Sequence, residues 1–222
     1  MTRLKRVVAT HRSILFAAVA VSGLVPIPGL ALDADVPAVA VAARRPAGAA
    51  SSAWPADSLY QVDVPLQTST GVSTSFSASR AGARIVTMFY SNCPMACPLT
   101  IDTLRNVDSA LSDAQRANLD ILMLTMDPVR DTPAALTSLR MERRITDERW
   151  TLARASLGDT RKLAAVLGIQ YRALDNGDFD HASELVLLDE QGRVLARNRK
   201  MGAPEPEFLV AVRAAATPTP KN

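Results

Sequence analysis

Two stretches constrain the fold most: "ARIVTMFY" (83–90) and "LDILMLTMD" (119–127). Both are nearly continuous apolar runs rich in β-branched or branched aliphatic residues, without the alternation of a strand that keeps one face in water. Such runs read as strands covered on both faces, which places them in the middle of a sheet with helices packed over it. The segments between and after them supply the covers. "PLTIDTLRNVDSALS" (98–112) carries Leu99, Leu104, Val107 and Leu111 near helical spacing, with Pro98 suited to a first turn. "TPAALTSLRMERR" (132–144) opens on a possible Thr132 N-cap and Pro133. "DTRKLAAVLG" (159–168) ends on Gly168, a helix stop. "RWTLARA" (149–155) reads as a short strand, "SELVLLDEQGRVLAR" (183–197) as a hairpin turning near Gln191 and Gly192, and "EPEFLVAVRAAA" (205–216) as a last helix. Strand–helix units followed by a hairpin and a helix predict an α/β fold of three layers, a central mixed sheet flanked by helices.

The chain has 222 residues, 48% hydrophobic and only 5% aromatic, so the core should be aliphatic. Met88, Met123, Met126 and Met141 fall on the predicted strands and helices and read as core or packing residues. A chain this long needs no disulfide to fold.

The first residues form an address. Arg3, Lys5, Arg6 and Arg12 precede an uncharged apolar stretch that breaks at Pro26 and Pro28, and small residues follow at Gly29 and Ala31. Residues 1–31 therefore read as a secretory signal peptide or an N-terminal membrane anchor. Residues 32–58, rich in Ala, Val, Pro and Ser, read as a flexible linker. The folded domain is expected over 59–216, with a disordered tail at 217–222. Of 25 basic residues, 4 lie in the leader, leaving 21 against 22 acids. The exported part is close to neutral and lacks the clustered basic surface of a nucleic-acid binder. The expected location is the periplasm, either soluble or tethered to the inner membrane.

Cys93 and Cys97 are the only cysteines, in "YSNCPMACPLT" (90–100). In an oxidising compartment two thiols so close could be a plain disulfide, a redox couple or half of a metal site. A bridge over a loop of about 5 residues stabilises by roughly 2 kcal/mol, against nearly 5 for a loop of about 100. The pair is poorly placed as a staple. It lies between a central strand and a helix, with Cys97 at the helix N-terminus, where unpaired N–H groups and the helix dipole favour the thiolate. His11 belongs to the leader, which leaves His181, in a polar loop before a strand, as the only imidazole of the exported part. If the strand after His181 neighbours the strand before Cys93, imidazole and thiols approach each other. Two thiolates and an imidazole suit Cu(I) and Cu(II), and zinc would accept the set as well.

Three ordered segments carry a family likeness. "FYSNCPMACP", "MDPVRDTP" (126–133) and "FDHASELVLLDEQGRV" (179–194) resemble the CPxxCP, DPxRDTP and DHS–strand segments of the SCO/SenC family, thioredoxin-like proteins of copper delivery to cytochrome c oxidase. The resemblance spans about 59–215. It implies that Cys93, Cys97 and His181 are the copper ligands (Cu+ or Cu2+) and that the two cysteines are a redox-active pair. Asp127 would be a supporting residue and not a ligand, and Arg130 and Asp131 share its motif. Met95 stands where the family often has an acid, and reads as a loop side chain. Ala182 stands between His181 and Ser183. The implied partners are the copper-centre subunit of a respiratory oxidase and other copper chaperones or thiol reductases. The rival from another class is a thiol–disulfide oxidoreductase using Cys93 and Cys97 alone. A peroxidase would need residues that place a peroxide, and none is evident.

Overall fold

The computed structural model describes residues 54–79, 81–93 and 96–218. The leader, most of the linker, Met95 and the last residues of the tail lie outside the described residues. A 3-10 turn (Leu59–Gln61) and two short strands, β1 (Pro65–Thr68) and β2 (Ser73–Ser75), lead into β3 (Ala83–Phe89). Helices α1 (Ala96–Ser109) and α2 (Asp113–Ala117) return the chain to β4 (Leu119–Thr125), and α3 (Pro133–Glu142) to β5 (Trp150–Arg154). Then come α4 (Leu157–Leu167), β6 (Tyr171–Ala173), β7 (Phe179–His181), β8 (Leu185–Asp189), β9 (Val194–Asn198) and α5 (Pro206–Ala216).

The main sheet runs β2-β1-β5-β4-β3-β8-β9. The two apolar runs are its centre: β3 pairs parallel with β4, which pairs parallel with β5, while the remaining pairs are antiparallel. Every residue of β3 is buried, as a strand with helices over both faces must be. The two parallel crossovers advance in the same direction, so their right-handedness puts α1 and α3 on one face. Arg105 of α1 accordingly donates to the Arg143 carbonyl at the end of α3. Two neighbouring side chains of β9 define the other layer. Arg197 donates to the Leu167 carbonyl at the end of α4 (2.7 Å), and Asn198 accepts from the Glu205 N–H at the start of α5 (2.6 Å). Successive strand residues point to opposite faces. Hence α4 and α5 lie on opposite sides of the sheet, and the molecule has three layers.

Local signals act as expected. The Thr132 hydroxyl caps α3 by accepting from the Ala135 N–H (3.3 Å) with Pro133 at its start. Gly168 ends α4 at φ +70°, a conformation that favours glycine. The core is aliphatic, built on Ile85, Leu104, Leu119, Ile121, Leu152 and Leu187 with Phe89 and Phe208. Met88, Met123 and Met126 are buried within it. Met141 corrects the expectation: it is 69% exposed, on the solvent side of α3. A second correction concerns His181. It lies on β7, which pairs with β6 as a separate two-stranded sheet, and not in an unstructured loop. Among the described residues no helix is long and apolar enough to cross a membrane.

Candidate metal centre

The site begins where β3 ends. Tyr90 is buried, and its carbonyl is a hub: it accepts from the Cys93 N–H at 3.2 Å and from the Cys97 thiol at 3.3 Å. One carbonyl thus closes the turn at Cys93 and holds Cys97 in the first turn of α1. The Cys97 N–H, one of the unpaired donors of that helix start, points at the Cys93 sulfur at 3.3 Å. Both cysteines are free thiols and both are buried, Cys93 to 5% and Cys97 to 3% exposure. The helix N-terminus was expected to favour thiolate at both positions. At Cys97 burial wins instead. It pushes that thiol far above its ordinary range, with Cys93 and the charge of Asp131 adding to the effect.

The "MDPVRDTP" segment connects β4 to α3 and touches both halves of the corner. Asp131 is completely buried. Its carboxylate accepts from the Ser91 N–H (3.1 Å), the Ser91 hydroxyl and the Thr125 hydroxyl. It thereby ties the first residues of the thiol loop to the end of β4. Asp127, also buried, accepts from the N–H and the guanidinium of Arg130. Arg130 then reaches away from the core. It donates to the Gly177 carbonyl and lies 5.8 Å from the Phe179 ring centroid. Gly177 sits at φ +85°, and a Cβ there would come within 3.1 Å of the Arg130 Nη1. The turn's positive φ favours glycine, and a side chain there would also push the guanidinium aside by a few tenths of an ångström.

His181 faces Tyr171 across the β6–β7 pair. Its ring meets that of Tyr90 edge-on, with centroids 5.8 Å apart and planes at 84°. Phe179 packs on the same tyrosine at 5.1 Å, and Tyr171 on Phe179 at 6.0 Å. The imidazole Nδ1 lies 3.3 Å from the Ala182 carbonyl. The approach follows from strand order, since β8 lies beside β3 with Leu185 opposite Thr87. Burial holds the Tyr90 phenol above its ordinary range, opposed by the Phe179 backbone and reinforced by the Cys93 thiol and Asp178.

Cys93 and Cys97 are in direct contact, and His181 shares their corner across the Tyr90 ring. The three are not closed on a common centre: among the described residues no group of three or more His, Cys, Asp or Glu side chains is arranged to hold a metal ion. The donor set, two soft sulfurs beside one imidazole, still fits copper in kind. Sequence reasoning gave Tyr90 and Arg130 no task here. The Asn176–Gly177 turn signal could have revealed the hairpin that carries His181.

The SCO1/SenC family model matches residues 61–215. No curated protein matches the chain in sequence. Solved structures share the fold. A SCO1/SenC family lipoprotein from Bacillus anthracis str. Ames superposes with a TM-score of 0.62 at 16% identity, covering 69% of this chain and 93% of that one. ScoI of Bradyrhizobium japonicum with copper bound gives 0.55 at 16% identity over 69% and 97%. BsSco, from the Sco family of cytochrome c oxidase assembly proteins, gives 0.59 at 17% identity over 70% and 92%. At these identities the superpositions establish the thioredoxin-like α/β architecture of those structures. The family match covers more than half of the chain, including the thiol loop, the Asp127–Asp131 segment and the hairpin of His181, and on that ground the chain belongs to the SCO1/SenC family.

Proposed function

We propose that this chain is an exported copper chaperone that takes copper as cargo on Cys93, Cys97 and His181 and passes it to the copper-centre subunit of a respiratory oxidase. One observation carries the reading: the only two cysteines of the chain are free, adjacent and buried, and the only histidine outside the leader stands one aromatic ring away from them. The copper-bound Bradyrhizobium japonicum relative and the oxidase-assembly role of the Sco family support it. The leader would send the chain to the periplasm and either leave it soluble or anchor it to the membrane.

The protein's own groups divide the work. The Cys97 N–H donates to the Cys93 sulfur and holds it in place beside the start of α1. Cys97 holds its proton until a cation arrives, and loading therefore releases protons. Burial of both sulfurs keeps water and oxidants from the loaded site. The imidazole, carried on a short hairpin outside the main sheet, is the donor best placed to come and go during transfer.

The N–H contact to Cys93 also favours a second reading, thiol–disulfide exchange. The Cys93 thiolate would attack a client disulfide and form a mixed disulfide. Cys97 would then displace the client, leaving two reduced client thiols and an oxidised Cys93–Cys97 pair. This chemistry has no use for His181.

Copper titration of the reduced protein separates the two, with His181→Ala and Cys93→Ser beside the unaltered chain. The expected result is one equivalent of Cu(II) with an intense thiolate charge-transfer band, altered in His181→Ala and lost in Cys93→Ser. Full copper affinity in both variants would overturn the chaperone reading. Thiol exchange without stoichiometric copper binding would establish the other.

A further inference from the structure

We infer that Arg130 is a positioning residue that sets where His181 stands relative to the two thiols. The inference rests on the Cys93–Cys97–His181 reading and gives a task to the Asp127–Asp131 segment. That segment holds both halves of the corner with neighbouring side chains. Asp131 grips the thiol loop through Ser91 and the end of β4 through Thr125. Arg130, the preceding residue, grips the other half. Its Nε pairs with buried Asp127, a second arm donates to the Gly177 carbonyl at the hairpin turn, and the guanidinium lies over Phe179, two residues from His181 on β7. The planar fork of arginine makes all three contacts at once, which the point charge of lysine does not. The hairpin needs such a clamp because it belongs to no larger sheet, and an isolated two-stranded hairpin is marginal in water. Its strands are three residues each. Arg130 does not touch the imidazole; it acts through the backbone and ring of the element that carries it.

The test uses Arg130→Gln and Arg130→Lys with two readouts. The first is copper binding. Loss of a residue that orients a metal ligand lowers affinity by about 10- to 100-fold. Arg130→Gln is expected to lower Cu(II) affinity by that factor and to shift the nitrogen hyperfine pattern in EPR toward that of His181→Ala. Cu(I) affinity, supplied by the two sulfurs, should stay within about twofold. The second readout needs no metal. Amide exchange at Leu174, Gly177 and Ala182, whose N–H groups close the hairpin, should speed up by about tenfold or more while β4 amides keep their protection. Arg130→Lys should follow Arg130→Gln. Unchanged Cu(II) binding and hairpin exchange in Arg130→Gln would overturn the inference. So would a lysine variant equal to the unaltered protein, or faster exchange across β4 together with lost Cu(I) binding, which would make Arg130 a general stability residue. If His181→Ala and the unaltered chain bind Cu(II) alike, the three-ligand reading fails, and the exchange readout still decides whether Arg130 holds the hairpin.

Discussion

The thiol loop and the histidine hairpin meet at one corner, yet they are built by different means. The loop grows out of β3, a central strand buried along its whole length, and is fixed by a buried carboxylate and the first turn of a 14-residue helix. The hairpin is a satellite of two three-residue strands, held by aromatic edges and one guanidinium. Under the proposed carrier role, the fixed sulfurs would be preorganised at folding, and the imidazole could let go without unfolding the core. Substitutions in the two regions should therefore differ in kind. Those in the loop should lower global stability, and those in the hairpin should act locally.

The largest effect is expected at Asp131. Replacement by alanine takes the carboxylate partner from the buried Thr125 hydroxyl and from the half-buried Ser91 hydroxyl and N–H. Loss of one partner from such a network costs about 3 kcal/mol or more. Urea denaturation of reduced Asp131→Ala should show a lower midpoint at unchanged slope. A midpoint equal to that of the unaltered protein would show that the loop is not anchored by this carboxylate, and the contrast between the regions would lose its basis.

Next in size is a pH effect of the loop alone. The folded Cys97 thiol titrates well above its ordinary 9.0 because it is buried. The folded protein thus keeps a proton that the unfolded chain releases once pH exceeds that value. The stabilisation is complete below the unfolded pKa and is lost as pH rises, by up to about 1.4 kcal/mol per unit. Between about pH 9 and 10 the reduced protein should lose stability with that sign, and Cys97→Ala, which keeps the same tyrosines, should lose less. Parallel curves for the two proteins would mean that Cys97 is not desolvated.

The same contrast explains what could be read from the sequence. The continuous apolar runs identify β3 and β4 because strands covered on both faces need apolar residues at successive positions. The N-cap at Thr132 and the stop at Gly168 are local chemistry, so they too are legible. β1 and β2 are not: "PLQT" and "STS" are short and half polar, and exist because the sheet edge pairs with them. The hairpin escaped for the same reason, since the groups that pack on it, Tyr90 and Arg130, are distant in sequence. Thiols and imidazole could be named as candidates from their scarcity. Their raised or orienting surroundings could not, because burial of Cys97 and the reach of Arg130 are tertiary facts.

A smaller and local effect is expected at the turn. Gly177→Ala places a Cβ at φ +85° and 3.1 Å from the Arg130 Nη1. A side chain in that region costs roughly 1 kcal/mol. Exchange of the Gln170–Ala182 and Leu174–Asp178 hydrogen bonds should quicken while the urea midpoint moves little. A shift of the midpoint as large as that of Asp131→Ala would show that hairpin and core unfold as one unit.

The smallest effect sharpens the comparison from the other side. Asp180 lies on β7 next to His181, and its carboxylate meets Arg172 of β6 at 3.3 Å with both side chains mostly in water. It joins the two strands of the hairpin as Asp131 joins the thiol loop to β4, with the same kind of group. Solvent decides the difference. An exposed pair is screened by water and salt and loses side-chain entropy on forming, so Asp180→Asn should change stability by less than about 0.5 kcal/mol. Hairpin exchange should be nearly unaltered as well, because Arg130 and the ring contacts of Tyr90 and Phe179 remain. If Asp180→Asn instead freed the hairpin as Arg130→Gln is expected to, the cross-strand pair would be its main fastening. His181 would then be held by its own sheet and not by the segment that also holds the thiols.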